Sequence, residues 1–231
     1  MRVNSTIPQR TSLPQRGRTH TIHRMAELVV VVNDDDEVIG TMLKSEAHRN
    51  GTPHRIAVTY VENARGEILV QVRMDRSLDH SSAGHVVPGE TYREAAEREL
   101  AEELGMTGVD LTPVGHGVSH EEDPVDGSVK RHVFDIFRCE AGYGQLQQDE
   151  VADVFWADPE DVLLDMKRER SRYAGGFVES LPILLGPEPL ALIALRRVAI
   201  RREPCSLRAC HRARRTTGVV PTSRASSRRS G

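Results

Sequence analysis

Apolar and polar positions alternate along the middle of the chain in a pattern that predicts strands joined by short turns. ELVVVV at 27–32 and VIGTM at 38–42 predict two strands on either side of an acidic turn. The segments 56–62 and 68–73 predict a second pair, joined by a turn that ends at Gly66. Three later segments are also extended in pattern: 109–118, 130–139 and 151–156.

Helical signals lie between these strands. Thr91 and Glu94 match a capping box, so a helix is expected to begin at about Tyr92. Gly105 is suited to end that helix in the left-handed conformation. Further helices are predicted at 45–50 and at 176–185. Another is predicted to begin after an N-cap at Asp158, with Pro159 in its first position, and to end at about Lys167. A mixed sheet with helices on its faces is an α/β sandwich, the predicted fold class.

Charge is segregated along the 231 residues. Residues 1–24 contain five arginines and no acid, and residues 196–231 contain eleven arginines and one acid, which leaves 25–195 strongly acidic. We expect a folded domain at 25–195 between two disordered basic extensions. No apolar run approaches the roughly 20 residues that span a bilayer. Three scattered cysteines do not indicate a disulfide framework, so the expected location is the cytoplasm.

The predicted helix after Thr91 concentrates carboxylates. Glu99, Glu102 and Glu103 lie three and four positions apart and therefore project from one face. Like charges at this spacing repel, and a metal ion is the partner that relieves the repulsion best. Hard oxygen ligands suit Mg²⁺ or Mn²⁺, which keep open positions for water and substrate phosphates.

Arg98 within this helix, and Glu90 and Gly84 before it, complete the pattern. Arg98 is expected to form a bidentate pair with Glu90, which would tie the preceding loop to the helix and orient the neighbouring carboxylates. Gly84 has no side chain in the way and is expected to bring a backbone carbonyl to the metal.

Residues 84–106, GHVVPGETYREAAERELAEELGM, resemble the Nudix box at every fixed position, with Leu100 and Met106 as its bulky aliphatic residues. The resemblance implies a Nudix-type α/β/α sandwich and hydrolysis of a diphosphate linkage in a nucleoside diphosphate derivative. It implies metal binding by Glu99, Glu102, Glu103 and Gly84, and catalytic roles for Glu99, Glu102 and Arg98. His85 and Arg73 are predicted to contact the substrate.

The general base is left open by the sequence. Within the box Glu102 or Glu99 could accept the proton of the attacking water. Outside it the candidates are Glu121, Glu122, Asp123 and Glu150. The acidic segment 120–127 is expected to be a turn, either a substrate loop or a solvated hairpin.

The segment 28–73 resembles the N-terminal half of isopentenyl diphosphate isomerase, which shares the Nudix fold and binds metal through histidines. His48, His54 and His85 stand where those histidines would be, and substrate contact is their alternative role. The isomerase has a catalytic cysteine where this chain has Ala83. It also has two glutamates where Lys130 and His132 align. These departures favour a hydrolase, with an isomerase-like enzyme or a non-catalytic nucleotide-binding module as the alternatives.

The box, the hydropathy and the charge of the tails also indicate which binding partners to expect. The expected partner is a small-molecule diphosphate, with no membrane partner. The arginine-rich tails could contact nucleic acid, but solvated appendages are commoner, so nucleic acid is not expected. Cys205, Cys210 and His211 are poor evidence for zinc because a fourth ligand is missing. The sequence leaves open whether the chain forms a homodimer.

Overall fold

A computed structural model describes residues 27–122 and 127–187. Within these residues nine strands and four α-helices follow one another along the chain. The strands are β1 Leu28–Val32, β2 Val38–Leu43, β3 His54–Glu62, β4 Ile68–Arg73, β5 Leu78–Asp79, β6 Ser82–His85, β7 Thr112–Glu122, β8 Val129–Glu140 and β9 Val151–Ala157. The helices are α1 Lys44–Asn50, α2 Tyr92–Leu104, α3 Pro159–Arg168 and α4 Gly175–Leu185, with a 3₁₀ turn at Arg170–Arg172.

Strand β3 is the centre of a mixed sheet. It pairs antiparallel with β1, β4 and β6, and parallel with β8. The parallel ladder runs from His54 opposite His132 to Glu62 opposite Glu140. Strands β2, β5, β7 and β9 extend the sheet through β1, β4 and β8. Because β3 has so many neighbours, side chains at its ends meet residues from distant parts of the sequence.

Helices cover both faces of this sheet. On one face Ala96, Leu100 and Leu104 of α2 are buried against alternate strand residues, among them Ala57 and Val61. On the other face α4 packs against β7, and its Phe177 contacts Tyr60 of β3. Alternation along β3 directs neighbouring residues to opposite faces. The predicted α/β/α sandwich with a mixed sheet is therefore confirmed.

The polar contact between α4 and the sheet is fully buried. Ser180 of α4 lies 2.6 Å from the Tyr60 hydroxyl and 2.7 Å from Nε2 of His80. Burial raises the pKa of Tyr60 well above its ordinary value. The three groups satisfy one another in the core, which fixes α4 in one position along the sheet.

Most predicted elements are observed within one or two residues, but three differences stand out. Strands β5 and β6 were not predicted, and β7 spans Thr112–Glu122 instead of 109–118. His120 to Glu122 therefore belong to a strand and not to the predicted turn. Among the described residues, no helix is long and apolar enough to cross a membrane. The predicted basic extensions at 1–24 and 196–231, and the cysteines in the second, lie outside the described residues.

Candidate functional site

The helix α2 carries the predicted carboxylates and is fixed at both ends. The Thr91 hydroxyl accepts from the backbone N–H of Glu94, and the Thr91 N–H donates to the Glu94 carboxylate at 2.8 Å. Gly105 ends the helix with φ 63°, and its N–H donates to the Leu100 carbonyl. The predicted capping box and left-handed cap are both confirmed. Apolar residues at helical spacing bury one face, so the carboxylates are held at its margin.

Glu99 occupies the space that a side chain on Gly84 would fill. A Cβ added at Gly84 would lie 1.8 Å from Oε1 of Glu99, so only glycine leaves room for the Glu99 side chain in this position beside β6. The side chain of Glu99 is 13% exposed. Its burial raises its pKa; Arg98 opposes this rise, while Glu102 and Glu150 add to it. The close approach explains the glycine at this position of the box.

Glu103 is the most deeply buried of the three carboxylates. It is 6% exposed, and its Oε2 accepts from the Ala83 backbone N–H at 3.3 Å. Burial, together with the nearby Glu99 and Asp79 carboxylates, raises its pKa to about 8. Within the described residues Glu103 forms no ion pair. A buried carboxyl group in this state gains most from a cation placed against it.

Arg98 binds the loop before the helix and the carboxylates on it. Its Nε and Nη2 donate to the two oxygens of Glu90 at 2.8 and 3.1 Å, so the predicted bidentate pair is confirmed. Its Nη1 donates to Glu99 at 2.7 Å and to Glu102 at 3.1 Å. Its Nη2 also donates to the His85 carbonyl at 2.9 Å. Glu90 and the other carboxylates raise the pKa of Arg98, which stays charged.

Glu102 and the candidate general bases outside the box differ in their position relative to Glu99 and Glu103. Glu102 is 54% exposed and faces solvent. Glu150 is close enough to Glu99 to raise its pKa. Glu121 lies against Gly175 at the start of α4. Asp123 lies outside the described residues. The choice of general base stays a prediction.

Arg73 and His85 were both predicted to contact substrate. Arg73 donates to Asp79 at 2.8 Å and is 48% exposed. The carboxylate of Glu103 is close enough to raise the Arg73 pKa, although Asp79 is the main cause. Arg73 therefore presents a charged group near the carboxylates. The side chain of His85 points instead into a cluster of histidines, and substrate contact by either residue stays a prediction.

Four histidines from four elements form that cluster: His48 of α1, His54 of β3, His85 of β6 and His132 of β8. One ring nitrogen from each lies within 4.8 Å of the others. Burial, with a smaller contribution from neighbouring His54, lowers the pKa of His48 to about 4. Burial lowers the pKa of His54, His85 and His132 as well. The cluster is therefore uncharged at neutral pH.

The fourth member of this cluster was missed by sequence reasoning. His132 aligned with an isomerase glutamate, but nothing in its local pattern pointed to the other histidines. Its place is set by the parallel pairing of His132 with His54. A histidine on a predicted strand, aligned with an acidic position of a metal-binding relative, was the signal that could have found it.

The position of the isomerase cysteine holds Ala83 on β6, beside Glu103. Among the described residues Cys139 is the only cysteine. It lies in the core, and burial raises its thiol pKa to about 11. A thiol in this state is not a ready acid or nucleophile. The described part of the chain therefore offers no cysteine for isomerase chemistry at this site.

An α/β/α sandwich with an acidic helix fixed to the sheet by a glycine and an arginine defines a Nudix-type domain. The chain belongs to the Nudix family, because the family model of the NUDIX domain matches residues 52–175. The recognition made from the sequence is confirmed.

Similar proteins carry names of both classes considered above, the Nudix hydrolases and the isopentenyl diphosphate isomerases. The chain is 34% identical to a Salmonella typhi protein named the uncharacterized Nudix hydrolase YfcD, over 59% of this chain and 74% of that protein. It is 33% identical to an isopentenyl-diphosphate Delta-isomerase of Mycolicibacterium vanbaalenii, over 57% and 77%. The fold is similar to the crystal structure of DR0079 from Deinococcus radiodurans. That similarity has a TM-score of 0.51 and 25% identity, and covers 62% of this chain and 89% of that one.

Proposed function

We propose that this chain is a metal-dependent hydrolase that cleaves a diphosphate linkage in a nucleoside diphosphate derivative in the cytoplasm. The observation that carries the proposal is the buried pair Glu99 and Glu103, packed beside Gly84 and oriented by Arg98. Burying two carboxylates together is unfavourable unless a cation joins them.

The donors fit Mg²⁺ or Mn²⁺. Carboxylate oxygens are the ligands that these hard cations prefer, and the raised pKa of Glu103 is the behaviour of a carboxyl group that lacks a cation partner. Glu99, Glu102 and Glu103 would hold the ion, and the Gly84 carbonyl is a further predicted ligand. Bound there, Mg²⁺ supplies positive charge against the diphosphate oxygens and acidifies a water molecule.

The residues of the chain perform the remaining tasks. Arg98 holds Glu99 and Glu102 in place, and Glu90 holds Arg98. Glu102, Glu99 or Glu150 would accept a proton from the attacking water. Arg73, half-exposed and close to Glu103, offers a positive charge to the substrate phosphates.

An isomerase acting on an allylic diphosphate is the second candidate, favoured by relatives such as the Mycolicibacterium vanbaalenii isomerase. Ala83 argues against it, because a methyl group can neither donate nor accept the proton that alkene isomerisation moves. Deuterium exchange into isopentenyl diphosphate would be the signature of this activity. A non-catalytic nucleotide-binding module, the third candidate, would bind ligand without turnover.

A hydrolysis screen tests the proposal. Nucleoside diphosphate derivatives are incubated with the full chain and Mg²⁺ or Mn²⁺. The two phosphomonoester products are then measured as inorganic phosphate after addition of a phosphatase that does not cleave the intact diphosphate linkage. On any substrate found, Glu99→Gln and Glu103→Gln are expected to lower kcat by about 100-fold or more, since each removes an ionised ligand. Glu97→Gln is the matched control, since Glu97 is 51% exposed on the same helix. Unchanged turnover in both box variants would overturn the proposal.

A further inference from the structure

We propose that Asp79 is a positioning residue, held by helix α4 through His80, which fixes the Arg73 guanidinium so that it binds one phosphate of the substrate through two hydrogen bonds. The substrate class rests on the proposed hydrolase function, whereas the hold of Asp79 on Arg73 belongs to the fold alone. Arg73 lies at the end of β4, Asp79 at the end of β5, and His80 directly after it.

The Arg73 guanidinium has one anchored nitrogen and two free ones. Its Nη1 donates to Oδ2 of Asp79 at 2.8 Å, which is its only side-chain hydrogen bond among the described residues. The Nε and Nη2 groups, called here the phosphate fork, therefore have no acceptor in the described part of the chain. Their parallel N–H bonds match two oxygens of a phosphate group. Because the side chain is 48% exposed, a ligand can reach the fork from solvent.

The turn between β4 and β5 fixes the backbone of Arg73. The Arg73 N–H donates to the Ser77 carbonyl at 2.9 Å, and the Arg76 N–H donates to the Arg73 carbonyl at 2.9 Å. Within the turn, the Asp75 carboxylate accepts from the Ser77 N–H at 2.9 Å and from its hydroxyl at 2.6 Å. A long arginine side chain on a fixed backbone still has many rotamers, so its tip is placed only when it too is bonded.

Asp79 can place that tip because the carboxylate is itself held in the core. It is 6% exposed, and its Oδ1 accepts from the His80 backbone N–H at 2.9 Å. The ring Nδ1 of His80 lies 2.7 Å from the same oxygen. Burial favours a higher pKa of Asp79, but His80 and Arg73 hold that pKa below its ordinary value. The carboxylate is therefore an ionised and stationary partner for Arg73.

Helix α4 holds β5 and His80 from the opposite face of the sheet. The Ala174 N–H, just before α4, donates to the Leu78 carbonyl of β5 at 2.9 Å. Oγ of Ser180 lies 2.7 Å from Nε2 of His80, and the Phe177 ring lies 5.1 Å from the His80 ring. His80 and Ser180 are both buried, so water does not compete for their hydrogen bond. The position of Asp79 is thus fixed from behind by α4.

Glu103 is the competing partner for Arg73. Its carboxylate is close enough to raise the Arg73 pKa, although less than Asp79 does. After burial, Asp79 is one of the carboxylates that raise the pKa of Glu103, so the two acids are near each other. A guanidinium released by Asp79 would turn to Glu103, which would occupy both the phosphate fork and a predicted metal ligand. Loss of the Asp79 charge should therefore weaken the binding of an anion, whereas charge alone would strengthen it.

Binding of methylenediphosphonate, whose P–C–P linkage is not hydrolysed, tests this without turnover. The full chain is titrated in Mg²⁺ by isothermal calorimetry. Arg73→Ala is expected to weaken Kd about 30-fold, since it removes a charge-assisted pair of hydrogen bonds. Asp79→Asn is expected to weaken Kd about tenfold, since Arg73 must then be ordered on binding. Unchanged or tighter binding by folded Asp79→Asn would overturn the positioning role.

The double variant separates positioning from general damage. If Asp79 acts through Arg73, Asp79→Asn should weaken binding no further in a chain that already carries Arg73→Ala. Two effects that add in full would assign the loss to a disturbed structure and contradict the proposal. Failure of the unmodified chain to bind methylenediphosphonate would overturn the phosphate fork itself.

The link to α4 has its own pair of variants, which also serve if Asp79→Asn does not fold by circular dichroism. Ser180→Ala and Tyr60→Phe each remove one hydroxyl from the same buried contact, but only Ser180→Ala breaks the bond to His80. We expect Kd to weaken about threefold in Ser180→Ala and to stay unchanged in Tyr60→Phe, the matched control. Equal Kd values in the two variants would contradict the role of α4.

Turnover separates this proposal from the hydrolase function. On any substrate found, Asp79→Asn is expected to raise KM about tenfold with little change in kcat, since the phosphate is held alike before and during the reaction. A lower kcat with an unchanged KM would overturn the binding role. A failed hydrolysis screen with weaker methylenediphosphonate binding in Asp79→Asn would reject hydrolysis and keep the positioning role, and hydrolysis with unaltered binding in that variant would do the reverse.

Discussion

Adjacent residues of β6 serve two groups of side chains that differ in origin and in charge. The carboxylates come from a single helix and repel one another, and an arginine compensates part of their charge. The histidines come from four separate elements and are neutral because burial lowers their pKa. Thus the carboxylates have unbalanced negative charge, whereas the histidines have unpartnered ring nitrogens. The same strand therefore borders two groups with different electrostatic requirements.

The largest effect is expected from a methyl group placed between β6 and α2. Gly84→Ala would put a Cβ within 1.8 Å of the Glu99 carboxylate, so the Glu99 side chain or the helix that carries it must move. A displacement near 1 Å in a catalytic site can cost about 100-fold in turnover, and we expect a loss of that order in kcat with Mg²⁺. Gly142→Ala is the control, since its Cβ would meet no atom within 4 Å. Equal activity of the two variants would show that the close approach is dispensable.

A smaller loss is expected from Arg98→Lys. Lysine keeps the charge but cannot donate to both Glu90 oxygens, to Glu99 and to the His85 carbonyl at once. We expect kcat to fall about 10- to 100-fold with the fold preserved, measured beside Arg93→Lys on the same helix. A fall no greater than in the control would mean that charge alone is needed.

The pH dependence of stability separates the two groups without any substrate. The folded-state pKa of Glu103, about 8, is above its unfolded value, so the unfolded chain binds fewer protons between these values. In the metal-free chain, the contribution of Glu103 to stability is therefore expected to fall as pH rises from about 4.5 to 8. Glu103→Gln should abolish this decline, and Mg²⁺ should oppose it. Urea unfolding at a series of pH values measures both, and a decline that persists in the variant would assign it elsewhere.

The histidines predict the opposite slope at lower pH. The folded-state pKa of His48, about 4, is below its unfolded value of 6.5, so the unfolded chain binds more protons in this window. The contribution of His48 to stability is therefore expected to fall as pH decreases from about 6.5 to 4, while the contribution of Glu103 rises as pH decreases to about 4.5. His48→Gln should flatten this arm and leave the arm above pH 6.5 unchanged. The same urea series measures this arm, and an equal slope in the variant would count against it.

The smallest effect is expected at the helix cap. Thr91→Ala removes the hydroxyl that accepts from the Glu94 N–H, at a cost of about 1 kcal/mol of stability. Turnover should change little, because packing of α2 on β6 holds the carboxylates. Chemical denaturation and kcat measured on the same sample check both parts, and a large loss of activity would show that the cap positions the site.

The sequence anticipated the carboxylate centre well because its information is local. The spacing of Glu99 and Glu103 on one helix, the capping box and the Arg98–Glu90 pair are set within about two dozen residues, and all these contacts are present. Strands β5 and β6 were missed because they are too short to show alternation. The place of His132 is not visible in its local pattern, since it depends on the register of a parallel ladder between strands far apart in the sequence. Only the alignment of His132 with an acidic position of a metal-binding relative pointed to it.

That ladder has a consequence for the order of folding. His54 and His132 meet only after β3 has paired with β8, and pairings between distant strands form late because the intervening chain must first be closed into a loop. The helix α2, with its local hydrogen bonds, can form early. The four histidines would then come together only in chains whose sheet is complete. During refolding, the backbone amides of β8 would gain protection from hydrogen exchange later than those of α2.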